Sequence, residues 1–333
     1  MSIDVMLTDR ERGKIGLLLD RLRHAYSGAE DPLLLMDAAL HARQLPTRIQ
    51  QRLHTFRREE PGSLVIRGHD IDAAVVGPTP DHWSHLPKPS PTLDQDLLLV
   101  LYGSLLGDVF GWTTQQDGRV VHDVLPIREH QGKQLGTAAD VVLDWHTEDA
   151  FHPLRPDWVI LACLRNPTGT ETTLAHADTL RIGERDLQVL FEPRFRIMPD
   201  HSHLPQHNSS GAADFTAIEE LTTAPPALAL MWGDPRAPYI RADKSFWTVA
   251  DPADAEAIAV LARLAAEIER NLRDVVLESG DFLFIDNFKA VHGRKPFPAR
   301  YDGTDRWLKR VCVTRDLRKS RGRRQGVLNQ VIG

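Results

Sequence analysis

The chain predicts a mainly β core with helices packed around its outside. Three observations lead there. Helical periodicity is concentrated near the start, short apolar strand-like runs follow, and a single long helical pattern interrupts those runs. Segregation of this kind suits helices laid against a β core and not an alternating βαβ sheet. No glycine-rich phosphate-binding stretch follows a strand, and no internal repeat is present.

The elements follow in order. Thr8-Asp9-Arg10-Glu11 reads as a capping box that opens a helix with Ile15, Leu18, Leu19 and Leu22 as its apolar stripe. Asp31-Pro32 is an N-cap with proline at the first helical position, leading into Leu33 to His41. A third helix is expected from Thr47 to Phe56. Ser63 to Gly68 is the first expected strand, Gly77 to Pro91 a proline-rich connector, and Leu97 to Leu106 a buried helix, with Gly107 to Trp112 turning out of it. Further strands are expected at Val120-Val121, Val141 to Leu143, Trp158 to Leu164, Phe195 to Met198, Leu228 to Trp232, Phe282 to Ile285 and Leu308 to Thr314. Asp251 to Asp254 caps the long helix, expected to continue through Leu272 toward Val276. These parts read as one domain over 1–333. Its helical N-terminal part runs to about residue 60, its β core over about 61–317, and a basic tail over about 318–333.

Composition excludes several classes. A hydrophobic fraction of 42% with 26% charged residues is that of a soluble globular chain able to bury its own core. A net charge of −6 argues against nucleic acid as a partner, and the cluster Arg318, Lys319, Arg321, Arg323 and Arg324 reads as a solvated tail. The opening Met1-Ser2-Ile3-Asp4 lacks the order of a signal peptide. The most apolar stretch, Leu97 to Trp112, is interrupted by Tyr102, Gly103, Gly107 and Asp108, so no membrane span is expected. Cys163 and Cys312 lie in apolar runs and read as buried free thiols, which fits a cytoplasmic location. Nothing in the sequence sets an oligomeric state.

The chemistry concentrates in Asp144-Trp145-His146-Thr147-Glu148-Asp149-Ala150-Phe151. In an extended chain, His146 and Glu148 point to one face and can reach a single metal ion. His292, after the strand-like Asp281 to Ile285, is the candidate third ligand. Two histidines and one carboxylate leave open positions on a divalent iron. Arg306 and Arg310 lie four apart and so share a strand face. Each guanidinium can hold a carboxylate through two hydrogen bonds, so the pair suggests two carboxylate-bearing small molecules.

His146-Thr147-Glu148, Val291-His292-Gly293-Arg294 and Arg306-Trp307-Leu308-Lys309-Arg310 together resemble the clavaminate synthase-like iron(II)/2-oxoglutarate oxygenases, and most closely their free amino acid hydroxylases. The resemblance covers Tyr102 to Leu317. It implies a double-stranded β-helix (a cupin-like jelly roll) with Fe(II) as cofactor and 2-oxoglutarate and O2 as co-substrates. It places the iron ligands on His146, Glu148 and His292. The wider superfamily mostly has Asp where Glu148 stands, and Glu marks this branch. It assigns the distal carboxylate of 2-oxoglutarate to Arg306 with Thr172, and the α-carboxylate of a free L-amino acid to Arg310. The α-amine falls to Gln115 (or its neighbour Gln116) with Glu148.

The side-chain pocket departs from the family's arginine hydroxylases, in which two aspartates stand two residues apart. In Arg241-Ala242-Asp243-Lys244-Ser245-Phe246 the first is kept as Asp243, and Ser245 occupies the second position. Asp200, in the stretch matching the family's lid, is a candidate further acid. One carboxylate and a hydroxyl suit a compact ammonium better than a forked guanidinium. The expected substrate order is therefore lysine, then arginine or an arginine-derived amino acid, then asparagine, with hydroxylation at C3 or C4. His201, His203 and His207 read as part of a polar lid, since no carboxylate or cysteine accompanies them at metal-ligand spacing. A non-catalytic cupin-like binding protein and a zinc hydrolase are the competing classes, and both leave the Arg306 and Arg310 pair unexplained.

Overall fold

A computed structural model describes residues 3–208 and 213–333; Met1 and Ser2 lie outside them. Two sheets face one another. The larger has the strand order Ile3–Met6, Ser63–Arg67, Phe282–Asp286, Trp158–Arg165, Trp307–Thr314, Asp108–Trp112, Val331–Ile332, and His122–Val124 adds to Trp307–Thr314. The smaller has the order Arg273–Val276, Glu171–His176, Ala290–Arg294, Leu143–His146. The arrangement is a jelly roll.

Period-two alternation explains the layers. In the central strands, Val159, Leu161, Leu283 and Ile285 point toward the small sheet and pack with Leu174 and Ala290. Their neighbours Ile160, Phe282 and Phe284 point the other way, onto helices Asp9–Ala25, Pro32–Ala42, Thr47–Glu59 and Leu93–Leu106. Strands buried on both faces read as continuous apolar runs, which is why these two were easy to locate. Helix Leu93–Leu106 lies between the other helices and the sheet, and is apolar nearly all round for that reason. The outer side of the small sheet is covered by helix Ala255–Asn271, through Val260, Leu264 and Ile268.

The capping box at Thr8 and Glu11 is formed as expected. Other details differ. Asp108–Trp112, expected as a turn, is a strand paired with Trp307–Thr314. Val120-Val121 precede a strand at His122–Val124. The long helix is capped by Asp254 alone and stops at Asn271, because Arg273–Val276 pairs with Glu171–His176. Tertiary pairing overrides the helical pattern there. In the tail Arg318, Lys319, Arg321 and Arg323 are exposed, but Val331–Ile332 returns to pair with Gly111 and Trp112. Cys163 and Cys312 are both buried and free. Among the described residues, no helix is long and apolar enough to cross a membrane.

Candidate active site

The edge strand Leu143–His146 pairs antiparallel with Ala290–Arg294, and His146 stands directly opposite His292. Their ring centroids are 4.5 Å apart. Just past His146 the chain leaves the sheet, and Asn287 holds the backbone of Glu148. The Asn287 side chain accepts from the Glu148 N–H at 2.7 Å and donates to its carbonyl at 3.0 Å. His146 Nδ1 lies 2.9 Å from the Asp144 carbonyl, which leaves Nε2 for the cavity. Glu148 Oε2 is buried, has no hydrogen-bond partner among the described residues, and lies 3.5 Å from His292 Nε2. One ligand atom from each of the three residues falls within a 4.8 Å cluster. A buried carboxylate oxygen without a partner, beside two imidazoles, fits a divalent iron with open positions. Burial alone would raise the Glu148 carboxyl, but Arg310, His292 and His146 hold it well below the usual carboxylate range.

Arg306, Leu308 and Arg310 line one cavity, while Lys309 points away and pairs with Asp96 at 2.8 Å and Asp123 at 3.1 Å. Arg306 is buried, and burial pushes its guanidinium down to about 10. It donates to Thr172 Oγ1 at 3.4 Å, and its Nε has no hydrogen-bond partner among the described residues. A buried cation with spare donors suits a carboxylate. Arg310 donates to Glu148 Oε1 and to Gln115 Oε1 at 3.2 Å, and also meets His122 Nδ1 at 2.8 Å. Gln115 lies behind this wall, between Arg310 and Ser202, whereas Gln116 is tied to the Asp123 backbone.

Comparison with known proteins identifies the family. The model of the family described as "Taurine catabolism dioxygenase TauD, TfdA family" matches residues 204–312. An L-ornithine/L-arginine 3-hydroxylase of Catenulispora acidiphila is 43% identical, with 98% of each chain covered. The enduracididine beta-hydroxylase of Streptomyces hygroscopicus is 40% identical over the same share of both chains. A crystal structure of the non-heme iron oxygenase OrfP with Fe, succinate and (3S)-hydroxy-L-Arg matches at a TM-score of 0.95 and 45% identity, covering 100% of both chains. The chain belongs to the clavaminate synthase-like iron(II)/2-oxoglutarate oxygenases. It is a 2-oxoglutarate-dependent dioxygenase of the amino acid hydroxylase class, with iron(II) as cofactor.

In this oxygenase the other end of the cavity is acidic. Asp243 forms an isolated bridge with His146 and is buried, and burial pushes its carboxyl up to about 7 against the opposing pull of His146. Asp144, Asp200, Ser202, Ser245 and Phe246 line the same cavity. Asp200 accepts from the Ser202 N–H at 2.9 Å, and Ser202 Oγ accepts from Gln115 at 2.6 Å, so the lid stretch touches the amide expected to read an α-amine. His203 has a carboxylate partner, contrary to its sequence neighbourhood: Nε2 meets Asp149 at 2.9 Å while Nδ1 meets Thr114 at 2.7 Å. Trp112 also donates to Asp149, at 2.6 Å. These hydrogen bonds engage His203 and Asp149 and anchor the stretch 200–208. His152 packs edge-on against Trp112.

Sequence reasoning passed over Asn287, Asp149, His122, Ser202 and Asp144. Asp144 alone carried a usable signal: it precedes His146 by two and therefore shares its strand face. The others reach the site by long-range packing.

Proposed function

We propose that this oxygenase hydroxylates free L-arginine or a closely related arginine-type amino acid at C3. The observation that carries the reading is the charge layout of one cavity, with Arg310 at one end, backed by Gln115, and Asp243 and Asp200 at the other. A free amino acid presents a carboxylate and an amine to the first end and a cationic side chain to the second. Arginine stands ahead of lysine, which reverses the order drawn from Ser245. The support is the full-length likeness to an ornithine/arginine 3-hydroxylase, an enduracididine beta-hydroxylase and a hydroxyarginine-bound OrfP. A serine in place of one carboxylate does not by itself exclude a guanidinium.

In this reading His146, Glu148 and His292 hold the iron, and Arg306 with Thr172 holds the distal carboxylate of 2-oxoglutarate. The iron(II) centre, with 2-oxoglutarate and O2, supplies the oxidising power that converts C–H to C–OH, releasing succinate and CO2. The chain's own residues decide where that power is applied. Arg310 pairs with the α-carboxylate, and its contact with Glu148 ties the substrate's α-end to a ligand residue. That anchoring sets the near side-chain carbons beside the metal site. Asp243 accepts from the cationic end, which fixes the reach of the side chain. The lid, held by His203 on Asp149, excludes water from the cavity. The whole chain acts as one oxygenase domain, since the N-terminal helices share a core with the large sheet.

The test is a panel of free L-amino acids incubated with iron(II) and 2-oxoglutarate, with succinate and hydroxylated product both measured. Arginine or ornithine is expected to give product hydroxylated at C3. Turnover confined to lysine, asparagine or an uncharged residue would overturn the substrate and leave the enzyme class standing.

A further inference from the structure

We propose that Asp144 and Ser245 act as one unit that replaces the missing second carboxylate of the guanidinium site. The inference rests on the arginine-type reading above. Ser245 Oγ donates to Asp144 Oδ2 at 2.8 Å, and both residues line the cavity with Asp243. Asp144 is well placed to hold that proton. Its backbone N–H donates to Gln134 at 3.0 Å, and its Oδ1 lies 3.2 Å from Lys244 Nζ. Lys244 is itself shared with Glu269 at 3.1 Å, so the group of Asp144, Lys244 and Glu269 keeps a net negative charge.

A hydroxyl has one proton and two lone pairs. With its proton on Asp144, Ser245 can offer a ligand only lone pairs, and the carboxylate behind it strengthens them as acceptors. One oxygen of Asp243 already accepts from the Ser245 N–H at 3.1 Å. A guanidinium brings five N–H donors and no acceptor, so it takes up more acceptors than the remaining Asp243 oxygen and Asp200 supply. The hydroxyl two residues on supplies a further acceptor. A primary ammonium has three donors, and Asp243 with Asp200 can serve it without Ser245. Ser245 is thus a binding residue for guanidinium, and Asp144 a positioning residue that acts through it.

The experiment compares arginine with ornithine, whose side chain ends in an ammonium, in Asp144→Ala, Ser245→Ala and the double variant. Anaerobic visible absorption on adding iron(II) and 2-oxoglutarate is read in each, so that loss of fold is separated from loss of substrate contact. Each single variant is expected to raise the KM for arginine roughly tenfold, the size of one charge-assisted hydrogen bond, and that for ornithine by much less. The double variant should be no worse than either single one, because the two residues form one unit. Adding Ser245→Asp to Asp144→Ala should restore arginine binding. Equal losses for arginine and ornithine, fully additive losses, or an unchanged KM for arginine would overturn the unit while leaving the arginine-type reading intact. A wild-type enzyme inert on both substrates but active on another amino acid would overturn that reading, and this unit with it.

Discussion

The two ends of the cavity are built differently. At the metal end, His146 and His292 face each other across one antiparallel pair, Thr172 lies on the next strand, and Arg310 stands on Trp307–Thr314 with Arg306 just before it. At the side-chain end, Asp200, Ser202, Asp243 and Ser245 come from the short 3-10 turns over 200–208 and the turn over 241–246, with Asp144 alone on a strand. Strand register fixes relative positions tightly, while loops can exchange residues without disturbing the sheet. The steps common to a family belong on the first kind of support, and substrate choice belongs on the second. The shift from aspartate to serine at Ser245 is the kind of change that only the loop end tolerates.

The largest expected effect lies at the metal end. His146→Ala or His292→Ala should abolish iron binding and 2-oxoglutarate turnover together, because two remaining ligands hold a labile divalent ion poorly. Iron content and succinate formation check this, and full activity in either variant would remove the three-residue site.

Next come the arginines. Arg306→Ala should raise the 2-oxoglutarate requirement and Arg310→Ala that for the amino acid, each roughly a hundredfold, since truncating a buried charge partner costs about 2–5 kcal/mol. KM values for both ligands in both variants would test the separation. If both variants affected the same ligand, the two carboxylates would have been assigned wrongly.

His203→Ala probes the loop end. It removes the hydrogen bonds to Asp149 and Thr114 that anchor the lid. A loss of roughly tenfold in kcat/KM for the amino acid is expected, with 2-oxoglutarate affinity little changed. An equal loss for both ligands would mean that Asp149 transmits the damage to Glu148, so that the two ends are not independent.

The same division governs what could be read from the sequence. The grouping of His146, Glu148 and His292 was legible only in part: the two histidines sit on paired strands, but Glu148 reaches them from the turn after its strand and not by strand alternation, whereas Arg306 and Arg310 share a face through their four-residue interval. The central strands were legible as unbroken apolar runs. Strands Glu171–His176 and Ala290–Arg294 were not, because they mix polar site residues with small ones and pair only with distant segments. The partners of His203, Ser245 and Glu148 could not be read either: Asp149, Asp144 and Asn287 lie 54, 101 and 139 residues away from them. The order with lysine first weighed the Ser245 hydroxyl by itself; the likeness to arginine-type hydroxylases favours arginine, and the Asp144 carboxylate on which Ser245 rests could not be seen from its own stretch.

The last effect is on stability and not on turnover, and tests whether the strand end carries its own electrostatic cost. Asp286 ends strand Phe282–Asp286, is buried, and accepts from the Phe288 N–H at 3.0 Å in the turn that delivers Asn287 to Glu148. Burial pushes its carboxyl up to about 7 from an ordinary 3.8. Between those two values the folded state binds the proton more tightly than the unfolded chain does. The stability contribution of Asp286 is therefore fully present below about 3.8 and is lost as pH rises through about 7. From pH 5 to 7 the loss is at most about 2 kcal/mol. Asp286→Asn keeps an acceptor for the turn and removes the charge. Its stability in urea should show a flatter pH dependence over this range and exceed that of the wild type above pH 7. If the two proteins lost stability in parallel, Asp286 would be solvated or paired in solution, and the strand end would hold its metal site without that cost.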